Sequence, residues 1–218
     1  MICDTTVGRS LNRMAGEAAS RTNRSAPDSG RGWRVLCRFA GRHAGFFTTR
    51  HVLRAGCTER VCAGLGDGSV TRTGVGMLRL TQWQPGPLDE CAMWAAWFDG
   101  AVAVSHHSAA ELHALGRLRP RFLHLSSAAD RAPHAPRLVV LHRRLDPADV
   151  ESAGPFLVTT PTRTILDLAE SDIGQKALDE VVVDAIAIGR CTDRQIRSAA
   201  ERLAPWAAVR VQRALAAY

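Results

Sequence analysis

Almost all of the net positive charge of this chain sits in its first eighty residues, and that stretch ends in a helix-turn-helix-like pattern. Residues 1–80 carry thirteen arginines against five acidic residues, whereas residues 81–218 carry fifteen basic residues against sixteen acidic ones. A basic surface confined to one small module is the electrostatic footprint of a nucleic-acid binder, because neutralising phosphates releases condensed counterions. For residues 1–32 alone, the competing reading is a solvated, disordered arginine-rich tail. The remainder, close to neutral, must do something else.

A length of 218 residues suits one ordinary domain plus a small one. An apolar fraction of 46% and a charged fraction of 22% are those of a globular protein with a real core. The longest apolar run, Ala92–Phe98, falls far short of the roughly 20 residues of a membrane span. No apolar secretory h-region follows the start, so a cytoplasmic protein without membrane association is expected. The six cysteines contain no C-x-x-C pair, which argues against a structural zinc site and for reduced, mostly buried thiols. Lys176 is the lone lysine beside 27 arginines.

The expected fold class is α+β, an N-terminal winged helix-turn-helix followed by a mixed α/β domain with a small sheet and several helices. Residues 1–30 read as a disordered basic tail, in which Met14 offers a second start. Residues 31–82 read as the winged helix. Trp33, Leu36, Cys37 and Ala40 recur at helical spacing. Thr48 or Thr49 then caps a second helix running to about Ala55, Gly56 ends it, and Thr58 caps a third helix to Gly66. Gly64 and Gly66 would each cost that helix about 1 kcal/mol relative to alanine. Two short strands, Ser69–Arg72 and Met77–Leu80, form the wing.

Gln82–Asp89, with two prolines and a glycine, reads as a linker to an α/β domain over 90–218. There, Ala92–Phe98 and Ser105–Leu115 are expected helices. Arg121–Ser127, Arg137–Arg143 and Pro155–Thr160 are expected strands. Thr162–Ala169, Ile173–Ile188 and Thr192–Leu203 are expected closing helices, the last opened by a Thr192/Gln195 capping box.

Little in the sequence points to catalysis. His106 and His113 are seven residues apart, two helical turns or about 10.5 Å, too far to share a metal. His107 and Glu111 have i, i+4 spacing, but two ligands do not make a site. Ser105 fits an N-cap, and Ser108 a cap partner or a polar helix-face residue. No G-x-S-x-G elbow, P-loop or paired D-x-D is present, and a kinase would need a strand lysine that this chain lacks. No cofactor, metal or conventional enzymatic activity is expected. Arg163 and Asp167, four apart, read equally as a local ion pair worth a few tenths of a kcal/mol or as an arginine presented to a partner.

Three motifs in order carry a resemblance to the AbiEi-type antitoxins of type IV toxin–antitoxin systems. They are GFFTTRHVLRAGCTERVCAGLGDGSVTRTGVGMLRL (Gly45–Leu80), AVAVSHHSAAELHALG (Ala101–Gly116) and VTTPTRTILDLA (Val158–Ala169). The resemblance spans about residues 33 to 203. The wing departs from it, with Gly76 and Met77 where the family would place an aromatic, and the long basic N-terminus is extra. The nuclease-like C-terminal extension of some relatives is not expected.

The resemblance implies a winged helix that binds inverted repeats in double-stranded DNA of its own promoter, with a homodimer on the palindrome. It also implies a C-terminal domain that counteracts a nucleotidyltransferase-type toxin, with or without a stable complex. Carried onto this chain, Thr48, Thr49 and Arg50 would meet phosphates. Thr58, Glu59 and Arg60 would open the recognition helix, Arg72 would reach the backbone from the wing, and Arg54 and Arg79 would add charge. Antitoxin function would fall to Ser105, His106, Ser108, His113, Arg163 and Asp167. Two alternatives accompany this: a winged-helix regulator with a ligand-sensing α/β domain, and an antitoxin that phosphorylates its toxin.

Overall fold

A computed structural model describes residues 29–74, 76–130, 133 and 135–218. The chain is α+β and divides into two compact units, Met1–Trp97 and Phe98–Tyr218. The expected tail and the alternative start at Met14 lie outside the described residues, except that the first helix already begins at Ser29.

The first unit runs α1 (Ser29–Gly41), β1 (Phe46–Thr48), α2 (Thr49–Ala55), α3 (Thr58–Asp67), β2 (Val70–Arg72), β3 (Met77–Leu80) and α4 (Asp89–Trp97). Its three strands form an antiparallel sheet in the order β1–β3–β2. Strand β1 was not anticipated, since Gly41–Phe47 reads as a mere helix break. Its register, Phe46 opposite Arg79 and Phe47 opposite Leu78, puts the two phenylalanines on opposite faces of the sheet. Both are nonetheless buried. Phe47 joins Leu36, Val52, Val61, Val70 and Leu80 in one cluster, and Phe46 joins Met77, Ala92 and Ala96 in another.

That second cluster corrects the expected boundary. Helix α4, assigned from sequence to the second domain, packs on the first unit because β1 and β3 offer an apolar second face that must be covered. The proline-bearing stretch before it is no free linker. Arg79 donates to the Gln84 carbonyl at 3.0 Å and to both oxygens of Asp89 at 2.6 and 3.1 Å, folding that loop back onto β3.

Two glycines matter sterically. Gly45, at φ +86°, turns the chain from α1 into β1 with the Trp83 indole so close that a Cβ would lie 2.6 Å from it. Gly64 sits inside α3 facing Val70, where a Cβ would meet the Val70 Cγ2 at 2.7 Å. Its helix-propensity cost is therefore the condition for α3 to lie against β2. The cap of α3 differs from expectation: Cys57, not Thr58, holds the N-cap position, and it makes no side-chain bond there.

The second unit runs β4 (Ala103–Val104), α5 (His106–Leu112), β5 (Leu123–Ser127), β6 (Leu138–His142), a 3-10 turn at Pro147–Asp149, β7 (Val150–Ser152) and β8 (Leu157–Thr159). It continues with α6 (Pro161–Ala169), α7 (Gln175–Ala187), α8 (Asp193–Ala200) and α9 (Pro205–Ala216). The sheet order is β6–β5–β4–β8–β7, with β5–β6 and β4–β8 parallel and the remaining pairs antiparallel. Strands β4 and β7, of two and three residues, were too short to show a period.

Helices α6 to α9 enclose an apolar core that includes Ile165, Leu168, Leu178, Val181, Ile196 and Val211. Helix α9 was missed, although Pro205 in its first turn and Ala207, Val211 and Ala214 at helical spacing announce it. The capping box of α8 forms as expected, with Thr192 accepting from the Gln195 backbone and the Gln195 side chain accepting from the Thr192 N–H.

The two glycines of α3 should respond oppositely to alanine. Gly64→Ala is expected to destabilise the protein by about 1–3 kcal/mol through overpacking against Val70. Gly66, with nothing within 4 Å of its Cβ position, should gain up to about 1 kcal/mol. Urea denaturation of the two variants checks this, and a neutral Gly64→Ala would mean that α3 is not held against β2.

Candidate functional site

In the first unit, helix α2 is closed at both ends. Thr48 is its N-cap and 4% exposed; its Oγ1 accepts from the His51 backbone N–H, while the His51 Nδ1 accepts from the Thr48 N–H at 2.9 Å. An imidazole here takes the part that glutamate or glutamine usually plays in a capping box. Phe39 covers the His51 ring at 4.0 Å between centroids. The Thr48 hydroxyl is thereby committed to the cap and withdrawn from phosphate contact. Gly56, left-handed at φ 63°, ends α2, and α3 starts two residues later.

The other residues assigned to DNA separate into two groups. Arg50, Arg54, Glu59, Arg60 and Arg72 are exposed, and Thr49 and Thr58 are half-buried. Of these, Arg50 donates to the Trp97 carbonyl at 3.1 Å and lies 5.3 Å above the Trp97 ring, while Arg60 lies 5.3 Å above Trp33. Arg79 belongs with the interior. It is 7% exposed, stacks 4.5 Å over Phe46, and donates to Ala44, Gln84 and Asp89, so its guanidinium is engaged in holding the unit together. The helix assigned to the groove carries Arg60 against Glu59 and Asp67. Asp67 also caps the turn after it by accepting from Ser69 N–H at 2.8 Å, and the Ser69 side chain, followed by this backbone bond, lowers its pKa.

In the second unit, the residues singled out from two separate motifs converge. Asp167 of α6 is fully buried. Its Oδ1 accepts from Arg143, at the end of β6, at 2.8 Å and from the Arg163 Nε at 2.9 Å. Arg163 continues to Asp149 at 3.2 Å, and Arg143 continues to Glu170 at 2.8 Å. The expected i, i+4 pair thus exists, but as part of an enclosed network rather than as a surface pair or an arginine offered to a partner. Burial opposes the charge on Arg163, and Asp167, Asp149 and Glu170 more than restore it. Burial pushes the Asp167 carboxyl up, against the pull of Arg163 and Arg143.

The second oxygen of Asp167 makes no hydrogen bond among the described residues and faces the His106 Nδ1 at 3.9 Å. His106 opens α5 with φ +53°, a left-handed conformation that an imidazole adopts at a cost of about 1 kcal/mol. Its Nδ1 is also 2.9 Å from the Ser105 Oγ, which accepts from Ser126 at 2.8 Å. Ser105 therefore occupies the N-cap position without using its side chain as a cap. A serine–histidine–carboxylate relay uses the two ring nitrogens for its two partners. Here one nitrogen faces both, and Ser105 is fully buried, so the trio is a structural tie.

Ser108 ties α5 to β5 by accepting from the His124 N–H at 3.0 Å and donating to the Phe122 carbonyl at 3.3 Å. His113 stands just past the end of α5, not within it, and its Nε2 donates to the Thr159 carbonyl at 2.7 Å. Sequence reasoning did not find Arg143, Asp149, His124 or Ser126. Each lies far along the chain from its partner and carries no local pattern. Beside this cluster and sharing Asp149 with it, an open cleft of about 690 Å³ lies at the start of α6, lined by residues of both signs that also include Glu151, Arg190 and Arg202.

No family model matches this chain, and no curated protein matches it. Among solved structures, the fold is similar to that of the RV2827C protein from Mycobacterium tuberculosis, with a TM-score of 0.54 and 17% identity, over 89% of this chain and 78% of that one. That likeness concerns the fold alone.

The buried histidine gives the protein an acid sensitivity of defined sign. Burial, followed by the charges of Arg143, His124, His107 and Arg163, lowers the His106 pKa to about 3. Between that value and its unfolded value near 6.5, the unfolded chain takes up a proton that the folded chain refuses. Stability should therefore fall as pH drops through this window, by on the order of 4–5 kcal/mol over its full width. His106→Asn, which tolerates the positive φ, should flatten melting temperature against pH between 6.5 and 4, leaving the slope contributed by His107 and His124. An unchanged slope would remove His106 as its source.

Arg79→Ala is expected to lower stability by about 2–3 kcal/mol, at or below the low end of the about 3–5 kcal/mol for a broken buried pair, because Asp89 keeps 26% of its side-chain surface. Arg60→Ala should stay within about 0.5 kcal/mol of the parent. Chemical denaturation separates the two, and equal losses would contradict the interior role given to Arg79.

Proposed function

We propose that this chain is an antitoxin and autorepressor, with a DNA-binding first unit and a second unit that counteracts a nucleotidyltransferase-type toxin. The observation that carries the DNA-binding half is the order of parts in the first unit: helix, strand, two helices joined at the left-handed Gly56, and a strand pair, with a sheet ordered β1–β3–β2. That order supports reading the unit as a winged helix-turn-helix. In this reading α3 enters the major groove from Thr58, Glu59 and Arg60, and Arg72 reaches a phosphate from the β2–β3 wing. Thr49 and Arg50 approach the backbone at the start of α2.

The antitoxin half rests on the resemblance of the Ala101–Gly116 and Val158–Ala169 segments to AbiEi-type antitoxins. It is supported by the way both segments meet at Asp167, as parts of one unit would. The buried positions of Ser105, His106 and Asp167 cast them as residues that hold the acting surface in shape. The cleft at the start of α6 favours a second reading, a regulator whose second unit takes a small ligand.

Expression of the neighbouring open reading frame in a host, with and without this full chain, tests the antitoxin half. Growth arrest relieved by the chain is the expected outcome, and arrest that the chain cannot relieve would overturn it. For the DNA half, Arg60→Ala should weaken binding to a promoter duplex by about 1–3 kcal/mol, measured by fluorescence anisotropy. Unchanged binding would remove α3 from the groove.

A further inference from the structure

Most of the positive charge of the first unit does not lie on the helix that the DNA reading places in the groove. Helix α3 holds one arginine against two acids. Between Asp28 and Glu59, by contrast, the chain has no acidic residue and six arginines, namely Arg31, Arg34, Arg38, Arg42, Arg50 and Arg54. The first three lie on α1 at spacings of three and four residues, so they share one face. That face is opposite Leu36 and Ala40, which enter the core, and Arg42 prolongs it in the turn beyond. All four side chains are exposed. Arg31 and Arg38 stand about 10.5 Å apart along the axis. Arg54 of α2 flanks the helix on one side, across a groove that it lines with Val35. On the other side, Trp33 carries Arg60 of α3 over its ring.

We propose that this arginine face of α1 is a DNA-backbone-binding element. It supplies the sequence-independent part of the affinity, which α3, with its excess of acid, does not provide. The proposal rests on the DNA-binding reading of the first unit and assigns the phosphate contacts within it. Double-stranded DNA is the occupant that the chemistry selects. Guanidinium forks match phosphate oxygens. An anionic bilayer would demand a broad apolar helix face turned outward, whereas α1 spends Leu36 and Ala40 on the core and leaves Val35 as its one exposed large apolar side chain.

The salt dependence of binding counts phosphate contacts directly. The full chain and the variant Arg31→Gln/Arg34→Gln/Arg38→Gln/Arg42→Gln are titrated with a promoter duplex and with a shuffled duplex over 50 to 200 mM salt. Glutamine keeps helix propensity, and circular dichroism checks the fold. If the quadruple variant unfolds, the pair Arg31→Gln/Arg38→Gln replaces it. The slope of log K against log salt should become shallower by about 0.9 per arginine removed, equally on both duplexes. The matching lysine variant should keep the parental slope. A parental slope in the glutamine variant would overturn the inference, as would binding of anionic vesicles in place of DNA by the parent.

Arg60→Ala in the same titration separates the two readings. Loss of promoter preference at unchanged slope supports α3 as the reader. No loss, with a collapsed slope in the α1 variant, would remove α3 and leave α1 standing. A parent that binds neither duplex overturns both.

Discussion

A carboxylate closed off from water must be met by positive charge where it stands, and the second unit is arranged around one such group. Asp167 has no exposed surface, and the groups that meet it come from different parts of the chain: Arg163 one turn earlier on α6, and Arg143 from the end of β6. Each arginine then needs its remaining donors satisfied. Arg163 finds Asp149 beside β7, and Arg143 finds Glu170 just past α6. Sheet edge, turn and helix are thereby fixed to one another through a single buried charge. Breaking one link in such a network costs about 3–5 kcal/mol, although the whole is worth little more than an apolar replacement. What the network fixes is the identity of neighbours: β6 can end only where its arginine reaches α6.

The first unit uses the same device with a different payload. Strand β3 is buried over its whole length, so Arg79, placed among Met77, Leu78 and Leu80, must find partners inside. It finds them by drawing in the loop after β3 and the first turn of α4. The arginine lies over Phe46, which contributes a ring face as well as apolar surface. The cost of an interior charge thus becomes the reason that α4 covers the second face of the sheet.

The sequence was most informative where a pattern repeats locally. Helix periods located α1, α2, α3, α6, α7 and α8 to within a few residues, and the Thr192/Gln195 box marked the start of α8. Strands β4 and β7 escaped because two or three residues display no alternation. The boundary between units was misplaced because prolines in the 82–89 stretch read as a linker, while the tie that folds it back depends on one arginine in a strand. The convergence of Ser105, His106 and Asp167 was half legible: both motifs were noticed, but Arg143 and Asp149, which join them, have no signature in their own neighbourhoods. Interior charge pairing is a three-dimensional condition, and a one-dimensional pattern carries it only when the partners are a helical turn apart, as Arg163 and Asp167 are.

In the second unit the residues that a reader of motifs notices first are largely ones that water does not reach, and in the first unit Thr48 and Arg79 are too. Thr48 is spent on capping α2, Arg79 on holding a loop, and Ser105, His106 and Asp167 on joining α5 to α6. A group with no exposed donor cannot meet a macromolecule, so contact must fall to side chains that the motifs merely hold in place. On the proposed DNA-binding reading, those in the first unit are the arginines of α1 and the flanking Arg54 and Arg60. In the second unit, on the ligand-taking reading, they would be residues such as Arg190, Gln195 and Arg202 around the cleft at the start of α6. Substitution at a buried motif residue therefore reports on the scaffold, and only substitution on these outer faces reports on recognition.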